Sequence, residues 1–263
     1  MRGIRGVGPA LKLLVLGVGA YLFLVAALRI TDFTQVKRTE RGIAALAPAL
    51  VNRLVVVDPG HGGPDPGVVR DGVLEKDITL AVALRLARFL EQGGARVLLT
   101  RTEDRDLAGP GEGSRKRRDL EQRVALANEN GADVFVCIHV NSFQSPKEHG
   151  AQTFYQHGSP GGRELAQAIQ TACRALLGNT NRQPKAGDYF TGRTTAMPAV
   201  VVEIGFLTNP REFKLLQDDA YQSKVAFAIY AGLVRYFAAQ SGIVAPGHAE
   251  DERCSTGTAG NGK

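Results

Sequence analysis

The chain has 263 residues, of which 44% are hydrophobic and 22% charged, a balance that excludes a disordered or fibrous protein and predicts one globular domain with a sizeable core. A formal charge of +6 suits a membrane surface, a cell-wall polymer or nucleic acid, but the basic residues are spread along the chain and select none of these. Cys137, Cys173 and Cys254 are odd in number and unrelated in spacing, which excludes a disulfide framework and a CxxC metal site and leaves structural thiols.

At the N-terminus, Arg2, Arg5 and Lys12 precede the uncharged run LLVLGVGAYLFLVAAL from Leu13 to Leu28, which Arg29 closes. The run is a little short of the roughly 20 residues expected of a spanning helix, but Lys12 and Arg29 can snorkel to the interfaces. Residues 1–29 therefore read as a membrane anchor whose basic leader stays in the cytoplasm and sends the rest across. A cleaved signal peptide is the alternative, with Val25 and Ala27 at tolerable cleavage positions, in which case the protein is secreted. The absence of a clean A-x-A favours the anchor. Residues 30–52 follow as a linker whose roughly twenty residues, fully extended, reach no more than about 70 Å.

From 53 to 240 the chain alternates strand and helix. Leu54–Val57, Ala95–Thr100, Val134–Ile138 and Ala199–Val202 are short, apolar and β-branched enough to be buried strands. Helical patterns lie between and after them, over Glu75–Glu91, Arg115–Asn130, Gly162–Leu177 and Tyr221–Ala239; the first carries Ile78, Val82, Leu86, Phe89 and Leu90 on one side and stops at Gly93 and Gly94. This order predicts an α/β fold with a mostly parallel, mixed sheet of about six strands flanked by helices, GAQTFYQ adding an antiparallel strand. Residues 241–263 read as a small, polar, disordered tail.

Three strands end on a side chain that binds metals or moves protons. VVVDPGHGG leads to His61, VFVCIHVNS to His139, and AVVVEIGF to Glu203. Ligands of open α/β sheets bind outside the carboxyl ends of the strands, so these three converge, and Glu75 can join them from the start of the helix after the glycine loop. Taken singly, each has an ordinary reading: a turn histidine, a hydrogen-bonded polar residue, a first-turn carboxylate. Glu203 is the hardest to set aside, because a glutamate ending an apolar run is costly to bury without a partner. Cys137 shares a strand face with His139 but lies one step deeper, where packing is its expected role. A phosphate-binding role for GHGGPDPG is disfavoured, since it lacks the GK[ST] ending and its prolines remove amides. Together the residues look like a catalytic zinc site, two imidazoles and one carboxylate leaving a position open, with Glu203 left over as the base. No HExxH is present.

VVVDPGHGGPDPG, LEKDITLAVAL, FVCIHVNSF and MPAVVVEIGFLTNP stand in the order, and near the spacing, of the zinc-dependent N-acetylmuramoyl-L-alanine amidases of the cell-wall hydrolase type (amidase type 3), and from about Leu54 to Phe237 the chain resembles that family. Within it the chain is most similar to the membrane-anchored spore-cortex and germination amidases, through the N-terminal segment, the insertion EDRDLAGPGEGSRKRRDLEQR and the block GAQTFYQ. The resemblance implies a phosphorylase/hydrolase-like α/β domain, a Zn2+ ion held by His61, Glu75 and His139, Glu203 as catalytic acid/base, and a peptidoglycan substrate with no nucleic-acid partner. It also implies a role in cortex maturation (muramic lactam formation) and germination on the extracytoplasmic side of the membrane. Cys137 fills a place where the family often has serine, and no wall-binding repeat is present, which leaves targeting to the anchor and any accessory activator. A non-catalytic wall-binding protein and a zinc peptidase cutting within stem peptides are the alternatives on the same fold.

Overall fold

The computed structural model describes residues 9–243, with side chains described over 16–26 and 37–243, so the expected tail lies outside the described residues from 244 onward. The chain divides into two compact units, Met1–Ala45 and Leu46–Lys263. The first is dominated by α1 (Pro9–Leu46). Leu16, Tyr21, Leu22, Phe23 and Leu24 on it are exposed. Among the described residues no helix is long and apolar enough to cross a membrane. Leu13, Leu14, Val15, Ala27 and Leu28 of the expected anchor lie outside the residues whose side chains are described.

The segment read as a linker over 30–52 is helical to Leu46 and continues as one 3-10 turn, Ala47–Leu50, with Ala49 and Leu50 buried. Good helix formers in RTERGIAAL carry the helix on, and Pro48 stops it. A helix advances about 1.5 Å per residue against about 3.3 Å for extended chain, so this stretch reaches far less than a coil of the same length.

The second unit runs β1 (Leu54–Pro59), β2 (Val69–Arg70), β3 (Val73–Leu74), α2 (Glu75–Gln92), β4 (Arg96–Leu99), α3 (Arg115–Glu129), β5 (Val134–Asn141), β6 (Gln152–Gln156), α4 (Pro160–Leu177), β7 (Lys185–Gly187), α5 (Phe190–Thr194), β8 (Ala199–Phe206), α6 (Pro210–Leu215) and α7 (Asp219–Ser241). The helices start and stop where side chains dictate. Ser114 caps α3 by accepting from the Arg117 amide, Ser159 caps α4 just before Pro160, and Asp218 caps α7, which ends at Gly242 in the left-handed conformation.

Six strands form one sheet in the order β4-β1-β5-β8-β6-β7. Every neighbouring pair is parallel except β6 with β8, so the mixed sheet and its antiparallel GAQTFYQ strand are as expected. β1 is buried along its whole length and β8 nearly so, because helices cover both faces. On one face α2, α4 and α7 pack together. On the other, Leu54, Val56, Phe135, Cys137, Ala199 and Val201 pack with Ala127 of α3. By strand alternation Asp58, His139 and Glu203 continue this second face toward the carboxyl ends. From β1 the chain moves to β4 on one side and β5 on the other, and such a reversal of strand order opens a crevice at those ends.

Candidate active site

Beyond Pro59 the chain turns sharply. His61 has φ 62°, in the left-handed region that side chains rarely adopt, and Gly62 and Gly63 follow with φ 133° and 57°. Gly62 and Asp65 exchange two main-chain hydrogen bonds of 3.0 and 3.2 Å, closing the loop. The β2–β3 hairpin then returns the chain so that the Glu75 amide donates to the Val68 carbonyl at 2.9 Å, bringing the start of α2 back beside His61.

Glu75 is buried and its carboxylate is held from both sides. The Val68 amide donates to Oε2 and the Val140 amide to Oε1, each at 2.8 Å. That Oε1 also lies 3.2 Å from His61 Nε2 and 2.9 Å from His139 Nδ1. One ligand atom from each of His61, Glu75 and His139 lies within 4.8 Å of the others, so the three residues converge on one point able to hold a cation. Burial works to raise the Glu75 pKa, but the hydrogen bonds and charges of His139 and His61 prevail and hold the carboxyl far below its ordinary range. Asp65 Oδ2 sits 2.9 Å from His61 Nδ1 on the far side of the ring, which directs Nε2 at the site.

Glycine makes the space. A Cβ on Gly60 would stand 2.4 Å from Cε1 of His139, and one on Gly67 2.5 Å from Glu75 Oε2. Both would displace a side chain of this cluster.

Glu203 is paired in register with His139 across β5 and β8. Its Oε2 is buried and, among the described residues, has no hydrogen-bond partner. Burial raises its pKa to about 7, a shift that His139 opposes and the charge of Glu75 reinforces. A buried carboxyl at that value is a proton carrier at neutral pH. Two cavities share His61, His139 and Glu203 in their lining, one adding Leu120, Tyr189 and Phe190 and the other Asn141 and Ser142.

All four residues singled out in the sequence meet here. Cys137 does not join them: its Sγ donates to Asp58 Oδ2 at 2.9 Å, and burial, reinforced by the Asp58 charge, pushes the thiol well above its ordinary pKa, so it stays protonated and packs. Sequence reasoning missed Asp65 and Asp58. Asp65 lies within a Gly/Pro loop where no pattern marks it, and Asp58, although it ends an apolar run as Glu203 does, is 1% exposed and paired with Arg123 at 2.6 Å.

The family model described as N-acetylmuramoyl-L-alanine amidase matches residues 55–235. The germination-specific N-acetylmuramoyl-L-alanine amidase of Bacillus subtilis (strain 168) is 44% identical over 193 residues, which span 72% of this chain and 81% of that protein. Among solved structures, the CwlD amidase from Clostridioides difficile in complex with the GerS lipoprotein is similar with a TM-score of 0.69 and 36% identity, over 72% of this chain and 100% of that one. The catalytic domain of CwlV, an N-acetylmuramoyl-L-alanine amidase from Bacillus (Paenibacillus) polymyxa var. colistinus, is similar with a TM-score of 0.62 and 35% identity, over 70% of this chain and 97% of that one.

Proposed function

The chain belongs to the N-acetylmuramoyl-L-alanine amidase family, and on that premise we propose that it hydrolyses the amide between N-acetylmuramic acid and L-alanine in peptidoglycan, using a zinc ion and Glu203. The observation that carries this reading is the convergence of His61, Glu75 and His139 beside a buried carboxyl with an unpartnered oxygen. Two imidazoles and one carboxylate are a donor set of catalytic zinc sites, and three protein ligands leave room for a reactant. The close approach of His139 and Glu75 that Gly60 and Gly67 permit fits the same assignment.

When bound, zinc supplies Lewis acidity and a water acidified to near neutrality. The residues of the chain do the rest. Glu203 takes a proton from the attacking water and returns it to the departing alanine nitrogen, so the C–N bond breaks to give a lactyl carboxylate and a free α-amine. Asp65 holds His61 in the tautomer that offers Nε2. The two cavities that meet at the centre support a substrate that extends beyond the cut bond, as a glycan and a stem peptide do.

The germination-specific Bacillus subtilis relative supports a role in germination, and cortex maturation with muramic lactam formation belongs to the same reading through the family resemblance alone. The lipoprotein bound to the Clostridioides difficile relative supports an accessory lipoprotein partner here as well. The basic leader and uncharged run over 1–29 support a membrane anchor that leaves a catalytic domain, residues 53–240, on the extracytoplasmic side.

Digestion of defined cortex and vegetative peptidoglycan with the purified protein, with and without zinc, tests the reading through the termini released. New amino-terminal alanine and free lactyl carboxyl groups, formed only with zinc, are expected. Cuts within the stem would make the protein a peptidase, and binding without any new terminus would make it a wall-binding protein.

A further inference from the structure

Two arginines lie beneath the site, Arg101 just after β4 and Arg123 on α3, each 1% exposed. Their guanidinium groups are directed at the main chain that carries His61. Arg101 Nε donates to the Pro59 carbonyl at 3.0 Å, and its Nη2 reaches the Gly60 carbonyl at 3.0 Å, the Lys76 carbonyl at 2.8 Å and Thr79 Oγ1 at 3.2 Å. Arg123 Nη1 donates to the Pro59 carbonyl at 2.9 Å and to Asp58 Oδ1 at 2.6 Å, its Nη2 to the His61 carbonyl at 2.7 Å and its Nε to Asp119 Oδ2 at 2.9 Å. Three consecutive carbonyls, those of Pro59, Gly60 and His61, are therefore held by buried cations. Because Lys76 adjoins Glu75, Arg101 also ties this loop to the first turn of α2.

Burying two cations is costly, and well-packed apolar residues often serve stability as well or better. What apolar residues cannot do is hold carbonyls, and a lysine point charge cannot reproduce the planar fork that reaches several at once. His61 is in a conformation that persists only where its surroundings over-determine it. We propose that Arg101 and Arg123 are positioning residues that fix the His61 loop against the Glu75-bearing end of α2, so that the metal site is set before an ion arrives. This inference rests on the metal-site reading above.

The test uses the metal-stripped full chain and its Arg101→Lys and Arg123→Lys variants, titrated with cobalt(II) alone and followed through the visible absorption of the bound ion, with urea unfolding of the metal-free proteins alongside. Folded variants that bind cobalt about 10- to 100-fold more weakly, with an altered spectrum, are the expected result. A folded variant with wild-type affinity and spectrum overturns the inference for that arginine. Should Arg123→Lys fail to fold, since Arg123 also neutralises Asp58, Arg101→Lys decides alone; failure of both to fold assigns the arginines to stability and overturns the positioning role. Wild-type protein that binds no cobalt overturns the metal reading and this inference with it, whereas equal binding by wild type and variants overturns this inference alone.

Discussion

His139 stands opposite Glu203 in the parallel pairing of β5 with β8. The same register sets Phe135 against Ala199 and Cys137 against Val201, so His139 and Glu203 occupy the next step of a packed sheet face, to which a loop adds His61 and a helix start adds Glu75.

Glu203→Gln keeps the shape of the side chain and removes the proton acceptor. Turnover should fall by roughly 10²- to 10⁴-fold with zinc retained. In the wild type, burial first, with the Glu75 charge adding, sets the carboxyl at about 7, so the basic form is lost as pH falls through that value and activity should decline on the acid side. Protonation of His139, which burial opposes but the hydrogen bond to Glu75 favours on balance, deepens the same limb by weakening metal binding. Rate–pH profiles with metal analysis check both statements; near-normal turnover by the glutamine variant would sink the assignment.

Gly60→Ala places a methyl group 2.4 Å from the His139 ring. The ring must move, so metal content should drop by at least about tenfold under competition with a chelator, and activity with it. Elemental analysis and circular dichroism together read this out. Full metal occupancy at wild-type activity would mean that the ring is not held where it binds an ion.

Removal of residues up to about Ile30 should yield a soluble protein that still cleaves isolated peptidoglycan, because every proposed catalytic residue lies beyond β1. In cells the full chain should fractionate with membranes and keep its leader. Recovery of a soluble extracytoplasmic form whose sequence begins near Leu28 would identify the segment as a cleaved signal peptide instead.

Gly232→Ala tests the packing of α7 on α4. The added Cβ would lie 2.5 Å from the Ile169 Cα, a main-chain atom that cannot swing aside. Overpacking of this kind costs about 1–3 kcal/mol. Urea unfolding should show that loss while metal binding per folded molecule is unchanged, since the contact is on the sheet face away from the site.

The central strands were legible because their burial on both faces leaves unbroken apolar runs, and His139 and Glu203 stand out at the ends of such runs. Glu75 was legible as a helix-start carboxylate. The elements β2, β3, β7, α5 and α6 were not, being too short to display a period. The network under the site was equally hidden. Asp58 meets Arg123 from α3, and Arg101 reaches carbonyls on three segments, partners that no local pattern announces. Residues 30–52 read as a linker, yet the helix propensity of their first part sufficed to carry α1 to Leu46.

The placement of β8 between β5 and β6 also governs when the site is complete. Its strand is the last of the six to be synthesised, and it enters the middle of the sheet, not an edge. A chain still without β8 therefore has His61, Glu75 and His139 but no Glu203 opposite them. Pairing so distant in sequence forms late and cooperatively. The four residues of the site therefore come together only once the whole sheet has assembled, so the order of the strands makes completion of the site the last step of folding.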